Sequence, residues 1–307
     1  MSDFLDRLDP AFREMIDAKG PHISELLMTD VAAARAAAAE RFARMAAILP
    51  EFDGQKDAYH MPGLAGEPEV PVIEYRARDL LYPDCAIIWL HGGGYMIGSA
   101  EDLSAQSFSA LAPVVSVDYR MAPEHRSPAA AHDVCAVIER LANNRDPRKI
   151  ILAGPSAGGG LAASAALLNR DRGGPTIAYQ MLIYPMIDDR HDTPSGHMDI
   201  PTSGWTRDAS LHAWSLYAEQ DGASPYAAAA RASDLTGLPP TYIMCGDLDL
   251  FLDEDIIFAN RLRSSGVPVE LSIYPGAPHG FNGFVPQAAV SKRANASIRM
   301  ALEHALS

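Results

Sequence analysis

Hydrophobic and polar positions follow different patterns in successive parts of this chain. In the first 50 residues the pattern favours helices: Asp9 and Pro10 form a helix-start signal, and an alanine-rich helix is predicted over about 29–48. After a stretch marked by Gly and Pro, residues 70–76 alternate apolar and polar, which is typical of an antiparallel strand. We therefore expect a helical N-terminal part that leads into a sheet.

From residue 86 onwards, short apolar runs alternate with helical stretches. The predicted strands are 86–90, 114–117, 150–153, 177–183, 241–244 and 267–273, and the predicted helices are 129–141, 159–168, 251–263 and 287–306. Continuous apolar strands separated by helices indicate a mostly parallel sheet covered by helices on both faces. We therefore predict an α/β fold whose active site lies at the carboxyl ends of the strands.

One segment, about 187–226, interrupts this alternation. It is rich in Asp, Pro, Gly and Ser and then carries a helical stretch with Trp205 and Trp214. An insertion after a core strand would lie above the strand ends. We interpret it, together with the helices of 1–50, as a helical cap over a catalytic domain of 51–307. The alternative is an ordinary connecting helix packed beside the sheet.

Composition excludes several classes of partner. The chain has 25 Lys and Arg against 39 Asp and Glu, and this net charge of -14 comes without a basic cluster, so we expect no nucleic-acid binding. No run of about 18 apolar residues is present, so no membrane insertion is expected. The first residues lack the features of a signal peptide. Cys85, Cys135 and Cys245 all lie in apolar contexts, which predicts buried thiols in a reducing cytoplasm.

The strongest chemical signal is the pentapeptide from Gly154 to Gly158, which reads G-P-S-A-G between a predicted strand and a small-residue helix. A G-x-S-x-G sequence at such a junction is the nucleophile elbow of α/β-hydrolases, in which a strained turn lifts the serine hydroxyl above the sheet. The flanking residues must be small because strand and helix cross closely there. Ser156 is therefore the predicted nucleophile.

A serine hydroxyl needs a base and an acid that orients the base. In α/β-hydrolases the chain order is Ser, acid, His, and only His279 and His304 come late enough. His279 follows a predicted strand in a loop, whereas His304 lies in the last helix, so His279 is the predicted base. Asp247 and Asp249 both follow the strand 241–244, and spacing leaves both open as the acid.

Other carboxylates have simpler explanations. Asp253 and Glu254 fall at a helix start, where a negative charge favours the helix dipole. Asp188 and Asp189 follow an earlier strand and are further candidates for the acid.

A second glycine-rich segment, His91 to Tyr95, reads H-G-G-G-Y directly after the strand 86–90. Such loops supply backbone N–H groups to an oxyanion, together with the N–H of the residue after the nucleophile. We predict that Gly93, Gly94 and Ala157 form this oxyanion hole. The segment lacks the Lys-Ser/Thr of a phosphate-binding loop.

Together these motifs resemble the hormone-sensitive-lipase family of α/β-hydrolases, which includes many bacterial carboxylesterases. The resemblance spans roughly residues 86 to 284 and rests on five segments: His91 to Tyr95, Asp118 to His125, Gly154 to Gly158, Asp249 to Glu254, and His279 to Phe281. The family's acid motif resembles D-P-L-x-D-E, and this register implies that Asp249 is the catalytic acid. In the family, the segment from Asp118 to His125 supports the oxyanion loop.

The resemblance also implies a function. It implies a serine carboxylesterase that hydrolyses short- to medium-chain esters through Ser156, His279 and Asp249, with an N-terminal helical cap, a second cap insertion and often a homodimer. No metal or organic cofactor is expected. The alternatives are an amide or lactone hydrolase of the same fold and a non-catalytic small-molecule binding protein. We expect the substrate pocket to be lined by Tyr95, Trp205, Trp214 and Phe281, with Phe12 as a further candidate.

Two positions depart from the family pattern. Leu250 stands where the family usually has proline, and Pro155 stands where the elbow usually carries Asp or Thr. Proline fixes its own φ and biases Gly154 toward extended backbone, but it offers no N–H and no polar side chain. We predict an unchanged fold and triad with altered polarity or specificity of the active site.

Overall fold

In a computed structural model the chain folds around one eight-stranded sheet. The structure describes residues 2–17, 22–47, 52–145, 148–201 and 204–307. The strands are β1 (Gly54–Met61), β2 (Val70–Ala77), β3 (Cys85–Leu90), β4 (Val114–Val117), β5 (Lys149–Pro155), β6 (Tyr179–Ile183), β7 (Thr241–Leu248) and β8 (Val269–Pro278). Their order is β1-β2-β4-β3-β5-β6-β7-β8. The strands β3 to β8 are parallel, and β2 is antiparallel to both of its neighbours.

Helices cover both faces of this sheet. They are α1 (Ser2–Arg7), α2 (Arg13–Ile16), α3 (Ile23–Thr29), α4 (Val31–Ala46), α5 (Leu103–Phe108), α6 (Ala129–Arg145), α7 (Ala157–Asp171), α8 (Arg207–Tyr217), α9 (Leu252–Ser264), α10 (Phe281–Phe284) and α11 (Ala289–Leu306). Successive residues of a strand point to opposite faces. In β3, Ile88 packs in the hydrophobic cluster that includes α6, α7 and α9, whereas Ile87 packs in the cluster that includes α5 and α11. The predicted α/β fold with a mostly parallel, covered sheet is confirmed.

Two elements escape the sequence pattern. The strand β1 is exposed along nearly its whole length and reads G-Q-K-D-A-Y-H-M, so it has no apolar alternation to reveal it. It lies at the edge of the sheet, where β2 is its one strand neighbour among the described residues. The helix α5 has only six residues and is capped by Asp102, whose side chain accepts a hydrogen bond from the Ser104 N–H. Six residues are too few for a periodic signal.

The remaining bounds agree with the predictions to within a few residues, apart from β7 and β8. Both of those strands continue well past their predicted ends, because the polar and glycine-containing residues there still pair with their neighbour.

Asp30 caps the start of α4 by accepting from the Ala33 N–H. The predicted end of this helix at Ile48 lies outside the described residues.

The N-terminal helices divide between two places. Helix α3 lies against α8 of the insertion, and the Ser24 hydroxyl donates to the Gly204 carbonyl at 2.6 Å. By contrast, Phe12 is fully buried on the opposite face of the sheet and packs against Phe281. Trp205 precedes α8 rather than lying inside it. A cap made of 1–50 and about 187–226 stays a prediction, which the α3–α8 contact favours for part of the N-terminal segment.

All three cysteines are free and buried, as the sequence predicts. Within the described residues, no helix combines the length and the apolar character needed to cross a bilayer.

Candidate active site

The junction between β5 and α7 is a tight, strained turn. Ser156 has φ 56° and ψ -122°, a conformation that a non-glycine residue adopts only when its surroundings impose it. Its N–H donates to the Ile183 carbonyl, while its own carbonyl accepts from the N–H groups of Gly160 and Met186. These three hydrogen bonds fix the turn, and Ser156 stands at the carboxyl end of the sheet as predicted.

Close packing explains the small residues around this serine. A Cβ placed on Gly158 would lie 1.9 Å from the Leu90 carbonyl oxygen, and one placed on Gly154 would lie 2.4 Å from the same atom. Both distances are far below a van der Waals contact with a backbone atom that cannot move aside. The crossing of β5, α7 and β3 therefore tolerates no side chain at either position.

Two side chains complete a hydrogen-bonded series with the serine. The His279 Nε2 lies 2.9 Å from the Ser156 Oγ, and the His279 Nδ1 lies 2.7 Å from the Asp249 Oδ2. The second bond requires a proton on Nδ1, which leaves the Nε2 lone pair facing the serine hydroxyl. Asp249 is fully buried, and its other carboxylate oxygen accepts from the Phe251 N–H at 3.0 Å. The arrangement can take a proton from Ser156 and stabilise the imidazolium that results.

Aromatic side chains hold the imidazole of His279 in this position. The Phe251 ring meets it edge-on at a centroid distance of 5.1 Å, and the Tyr184 ring meets it at 4.9 Å. The His279 side chain is only 10% exposed, so the proton-transfer path is shielded from bulk water. The sequence does not predict either contact, because Tyr184, Phe251 and His279 lie in three separate segments of the chain.

The other candidates lie elsewhere. The Asp247 carboxylate accepts from the Gly276 N–H at 2.6 Å and from Arg7, so it joins β7 to β8 and to the N-terminus. Asp188 pairs with Arg190, and Asp189 pairs with Arg231. His304 is exposed near the end of α11. Asp249 is the one of these carboxylates that contacts His279.

Asp253 and Glu254 do more than begin α9. The Asp253 carboxylate accepts from the Ser195 N–H at 2.7 Å. The Glu254 carboxylate accepts from the N–H groups of Ile187 and Asp188 at 3.2 and 3.3 Å. Burial raises the pKa of Glu254 well above its ordinary value. Both side chains therefore tie the start of α9 to the insertion, a role that the helix-dipole explanation missed.

The glycine loop, residues 91–98, lies beside the nucleophile. A Cβ placed on Gly92 would lie 3.5 Å from the Ser156 Cβ. Gly94 has φ +60°, and a Cβ on it would lie 2.4 Å from the Trp205 ring. Both the backbone conformation and the steric contact therefore disfavour a side chain at this position. Within the described part of the chain, the N–H groups of Gly93, Gly94 and Ala157 donate to no protein acceptor. These three donors remain available to a bound oxyanion.

The segment from Asp118 to His125 supports this loop, in agreement with the family resemblance. The Tyr119 hydroxyl donates to the His91 carbonyl at 2.8 Å, and the two rings stack with centroids 4.2 Å apart. The Ala122 N–H donates to the Tyr95 carbonyl at 2.9 Å. Burial lowers the pKa of His91. A neutral His91 thus serves as a packing element beneath the loop.

Arg35 is a second support that sequence reasoning missed. From α4 its guanidinium donates to the carbonyls of Met96 and Ala122 at 2.8 and 2.9 Å, and it forms a bidentate ion pair with Glu124. This hydrogen-bonded pair holds the pKa of Glu124 down to about 2. One side chain therefore joins the N-terminal helices to the glycine loop. An arginine in an alanine-rich helix gives no sign of this from sequence alone.

The predicted pocket residues differ in their surroundings. Trp205 is half-buried and lies against Gly94, next to the site. Tyr95 is fully buried, donates to the Met186 carbonyl at 2.8 Å and stacks on Tyr217. Trp214 is 3% exposed and contacts the same tyrosine pair. These contacts favour Trp205 as a wall of the pocket and the other two as its supports.

Phe281 and Phe12 are both fully buried, in the hydrophobic cluster on the α11 side of the sheet. The Phe281 ring packs against Phe12, Tyr184 and Tyr274 beneath His279. The contacts favour a supporting position for both phenylalanines, and their place in the substrate pocket stays a prediction.

Pro155 ends β5, and its Cγ would lie 3.7 Å from a Cβ on Gly92. Its effect on polarity also stays a prediction.

Comparisons with known proteins agree with this geometry. A family described as alpha/beta hydrolase fold matches residues 87–283. The chain is 34% identical to the carboxylesterase NlhH of Mycobacterium tuberculosis over 276 residues, which cover 83% of this chain and 85% of the relative. A bacterial heroin esterase superposes with a TM-score of 0.90 at 35% identity, over 98% of this chain and 99% of that one.

A third match is the esterase LipW of Mycobacterium marinum, with a TM-score of 0.83 at 33% identity over 98% of this chain and 96% of that one. About a third of the aligned residues are identical in each of these three proteins, and the two solved structures match over nearly the whole of this chain. This chain belongs to the hormone-sensitive-lipase-like family of α/β-hydrolases, as its motifs indicated.

Proposed function

We propose that this protein is a serine carboxylesterase that works through a Ser156–His279–Asp249 triad and an acyl-enzyme. The observation that carries the proposal is the continuous hydrogen-bonded series from the Ser156 Oγ through both nitrogens of His279 to Asp249. Three unused backbone N–H donors next to the same serine support it. The relatives named carboxylesterase and esterase favour esters as the substrate class.

The geometry supports a two-step acyl transfer. His279 takes the proton of the Ser156 hydroxyl through Nε2 as the oxygen attacks the ester carbonyl carbon. Asp249 stabilises the imidazolium and keeps the proton on Nδ1. His279 then returns the proton to the leaving alcohol, which leaves an acyl-enzyme on Ser156. A water molecule, deprotonated by the same imidazole, attacks the acyl carbon; the bond to the Ser156 Oγ breaks, His279 returns the proton to that oxygen, and the carboxylic acid leaves.

The oxyanion that forms in each step is the point of greatest charge development. The N–H groups of Gly93, Gly94 and Ala157 would donate to it. Ala157 is the first residue of α7, so the positive end of the helix dipole adds to this stabilisation. Losing one such donor can reduce kcat by about 10²- to 10³-fold. The catalytic power therefore rests largely on backbone groups.

We further propose that the substrates are esters with short to medium acyl chains. The Trp205 ring lies against Gly94 of the glycine loop, and Tyr95 of the same loop packs with Trp214 and stacks on Tyr217. Rigid aromatic rings around the glycine loop would leave limited room for a long acyl chain. A homodimer, which the resemblance implies, is a separate proposal that light scattering tests.

The decisive experiment combines activity with covalent labelling. We expect the wild-type protein to hydrolyse p-nitrophenyl acetate and butyrate, with kcat/KM falling steeply toward longer chains, and to be labelled by a fluorophosphonate. Ser156→Ala should lose both. Ser164→Ala is a matched control, because Ser164 is buried in the same helix α7 and its hydroxyl donates to the Ala227 carbonyl, away from the triad. Labelling that persists in Ser156→Ala would overturn the proposal.

A further inference from the structure

A single serine of the insertion makes hydrogen bonds to both ends of the loop that carries Asp249. Ser195 begins a short 3-10 turn, Ser195–His197, and is 5% exposed. Its hydroxyl donates to the Leu250 carbonyl at 3.1 Å and accepts from the Asp253 N–H at 3.0 Å. Its own N–H donates to the Asp253 carboxylate at 2.7 Å. We call these three bonds the Ser195 latch.

The latch encloses the Asp249 loop, residues 249–252. One bond holds the residue directly after the acid, and the other two hold the first turn of α9. Inside the loop, the Asp249 carboxylate accepts from the Phe251 N–H, and the Asp249 carbonyl accepts from the Leu252 N–H at 3.2 Å. The carboxylate that faces His279 thus sits in a turn whose two ends are joined by one side chain from another segment.

Residue 250 is leucine, where the family usually has proline, so the Asp249 loop lacks the local constraint that a proline ring would give it. A proline at this position would fix its own φ and stiffen the turn, but Leu250 has no such constraint. The Ser195 hydroxyl instead holds the Leu250 carbonyl from outside. A hydrogen bond between segments that are 55 residues apart therefore does what a local ring would otherwise do.

Ser195 is itself fully bonded, so the latch is not an incidental contact. The Thr193 hydroxyl lies 3.4 Å from the Ser195 hydroxyl and also accepts from the Gly196 N–H at 3.2 Å. Glu254 adds two further bonds from the same end of α9 to Ile187 and Asp188, at the start of the insertion. The insertion and the Asp249 loop are consequently tied at two separate points.

We propose that Ser195, together with Asp253, is a positioning residue for the triad acid, through which the insertion holds Asp249 against His279. The inference rests on the proposed function, since it concerns how the proposed acid is kept in place. Ser195 touches neither the substrate nor the reacting atoms. Its loss lets the Asp249 loop move, which weakens the bond between the carboxylate and Nδ1 without changing the binding surface.

The test is the variant Ser195→Ala, compared with Ser210→Ala. Ser210 lies in the same insertion and is fully buried, and its hydroxyl bonds to no group within the described residues, so it controls for deleting a buried oxygen. Ser195→Ala should reduce kcat on p-nitrophenyl butyrate by about tenfold at unchanged KM, below the about 10²-fold loss that a 1 Å misplacement can cause. Ser210→Ala should keep the wild-type kcat, and Ser195→Thr, which restores a hydroxyl, should recover most of it.

A second readout does not depend on turnover. The proton between the His279 Nδ1 and Asp249 gives a far-downfield proton NMR resonance, which should move upfield and broaden in Ser195→Ala but not in Ser210→Ala. Asp253→Ala should resemble Ser195→Ala, whereas Asp253→Asn keeps an acceptor oxygen and should resemble the wild type. Asp253→Asn removes the negative charge at the start of α9 but keeps the acceptor for the Ser195 N–H. Comparing it with Asp253→Ala therefore distinguishes the hydrogen bonds of the latch from a helix-dipole effect.

The outcomes keep the two proposals apart. An inactive wild-type protein would end the proposed function, while the resonance would still report whether Ser195 holds Asp249. An active wild type whose kcat and resonance are the same in Ser195→Ala and Ser210→Ala would overturn the positioning role. If Ser195→Ala does not fold, Asp253→Ala and Asp253→Asn provide the same comparison.

Discussion

The two sides of the candidate active site are built on different principles. The glycine loop offers backbone N–H groups, and its requirement is the absence of side chains at Gly93 and Gly94. The Asp249 loop offers one carboxylate, and its requirement is the presence of partners from distant segments: His279 and Ser195. The first requirement is local in sequence, whereas the second is met only after folding.

This difference teaches how each side can fail. On the glycine loop, an added methyl group meets backbone atoms or a packed tryptophan, so the damage is steric and immediate. On the acid side, losing a partner leaves the carboxylate in place but less well oriented, so the damage is graded. The predictions below test this contrast.

The largest effect should come from the acid itself. Asp249→Asn removes the charge that orients and stabilises His279, and we expect kcat to fall by about 10⁴-fold. Asp247→Asn is the matched control, because Asp247 lies two residues earlier and bonds instead to Gly276 and Arg7. Steady-state kinetics on p-nitrophenyl butyrate measure both. Equal losses in the two variants would contradict the assignment of the acid.

The next effect is steric, on the glycine loop. In Gly94→Ala the new Cβ would lie 2.4 Å from the Trp205 ring at φ +60°, so the loop must shift its N–H donors and kcat should fall by about 10²-fold. Gly66→Ala controls for the backbone strain, because Gly66 has φ +85° with open space around it. If kinetics on the two variants show the same kcat, displacement of the loop is not the cause.

A graded effect on the same side should follow loss of its distant anchor. Arg35→Met removes two bonds to backbone carbonyls of the loop region, worth about 2 kcal/mol of unfolding free energy, and the exposed pair with Glu124 adds little. We expect a lower Tm and a loss of kcat of about tenfold. Arg44→Met, which removes only an exposed pair with Glu40 on the same helix, should change neither. Calorimetry and kinetics that give the same values for both variants would show that Arg35 is not an anchor.

The last prediction concerns the pH dependence of stability on the acid side rather than kcat. Burial raises the pKa of Asp255 well above its ordinary value, and the nearby Glu254 adds to the shift. A carboxyl that keeps its proton in the folded state stabilises that state below its unfolded pKa of about 4, and this contribution is lost as pH rises through the folded pKa.

The slope expected from this group is about 1.4 kcal/mol for each pH unit over which the folded carboxyl stays protonated. Asp255→Asn removes this titrating carboxyl. The unfolding free energy of the variant should therefore fall less between pH 5 and pH 8 than that of the wild type. Urea denaturation at both pH values measures the difference. Parallel losses in the two proteins would mean that Asp255 is ionised in the folded state.

Much of the fold was predictable because its signals are local. The runs 86–90, 114–117 and 150–153 are apolar except for Ser116, since each strand is buried on both faces, and the structure confirms all three. The strand β1 was missed for the opposite reason: an exposed edge strand needs no hydrophobic pattern. Trp205 and Trp214 both lie in the segment 187–226, but their different burial depends on what packs against each ring.

The sequence by itself determined the elbow at Ser156, the glycine loop and the α/β class, because each depends on contiguous residues whose size and backbone freedom limit the local conformation. Residue spacing left Asp247 and Asp249 open as the acid, and the family register implied Asp249; the tertiary structure brings Asp249 to His279. Only the tertiary structure decided that Arg35 anchors the glycine loop and that Ser195 holds the Asp249 loop. Those contacts join residues 30 to 87 positions apart. A hydrogen bond depends on distances of a few tenths of an ångström, and no pattern of residue types along a chain encodes such distances between remote segments.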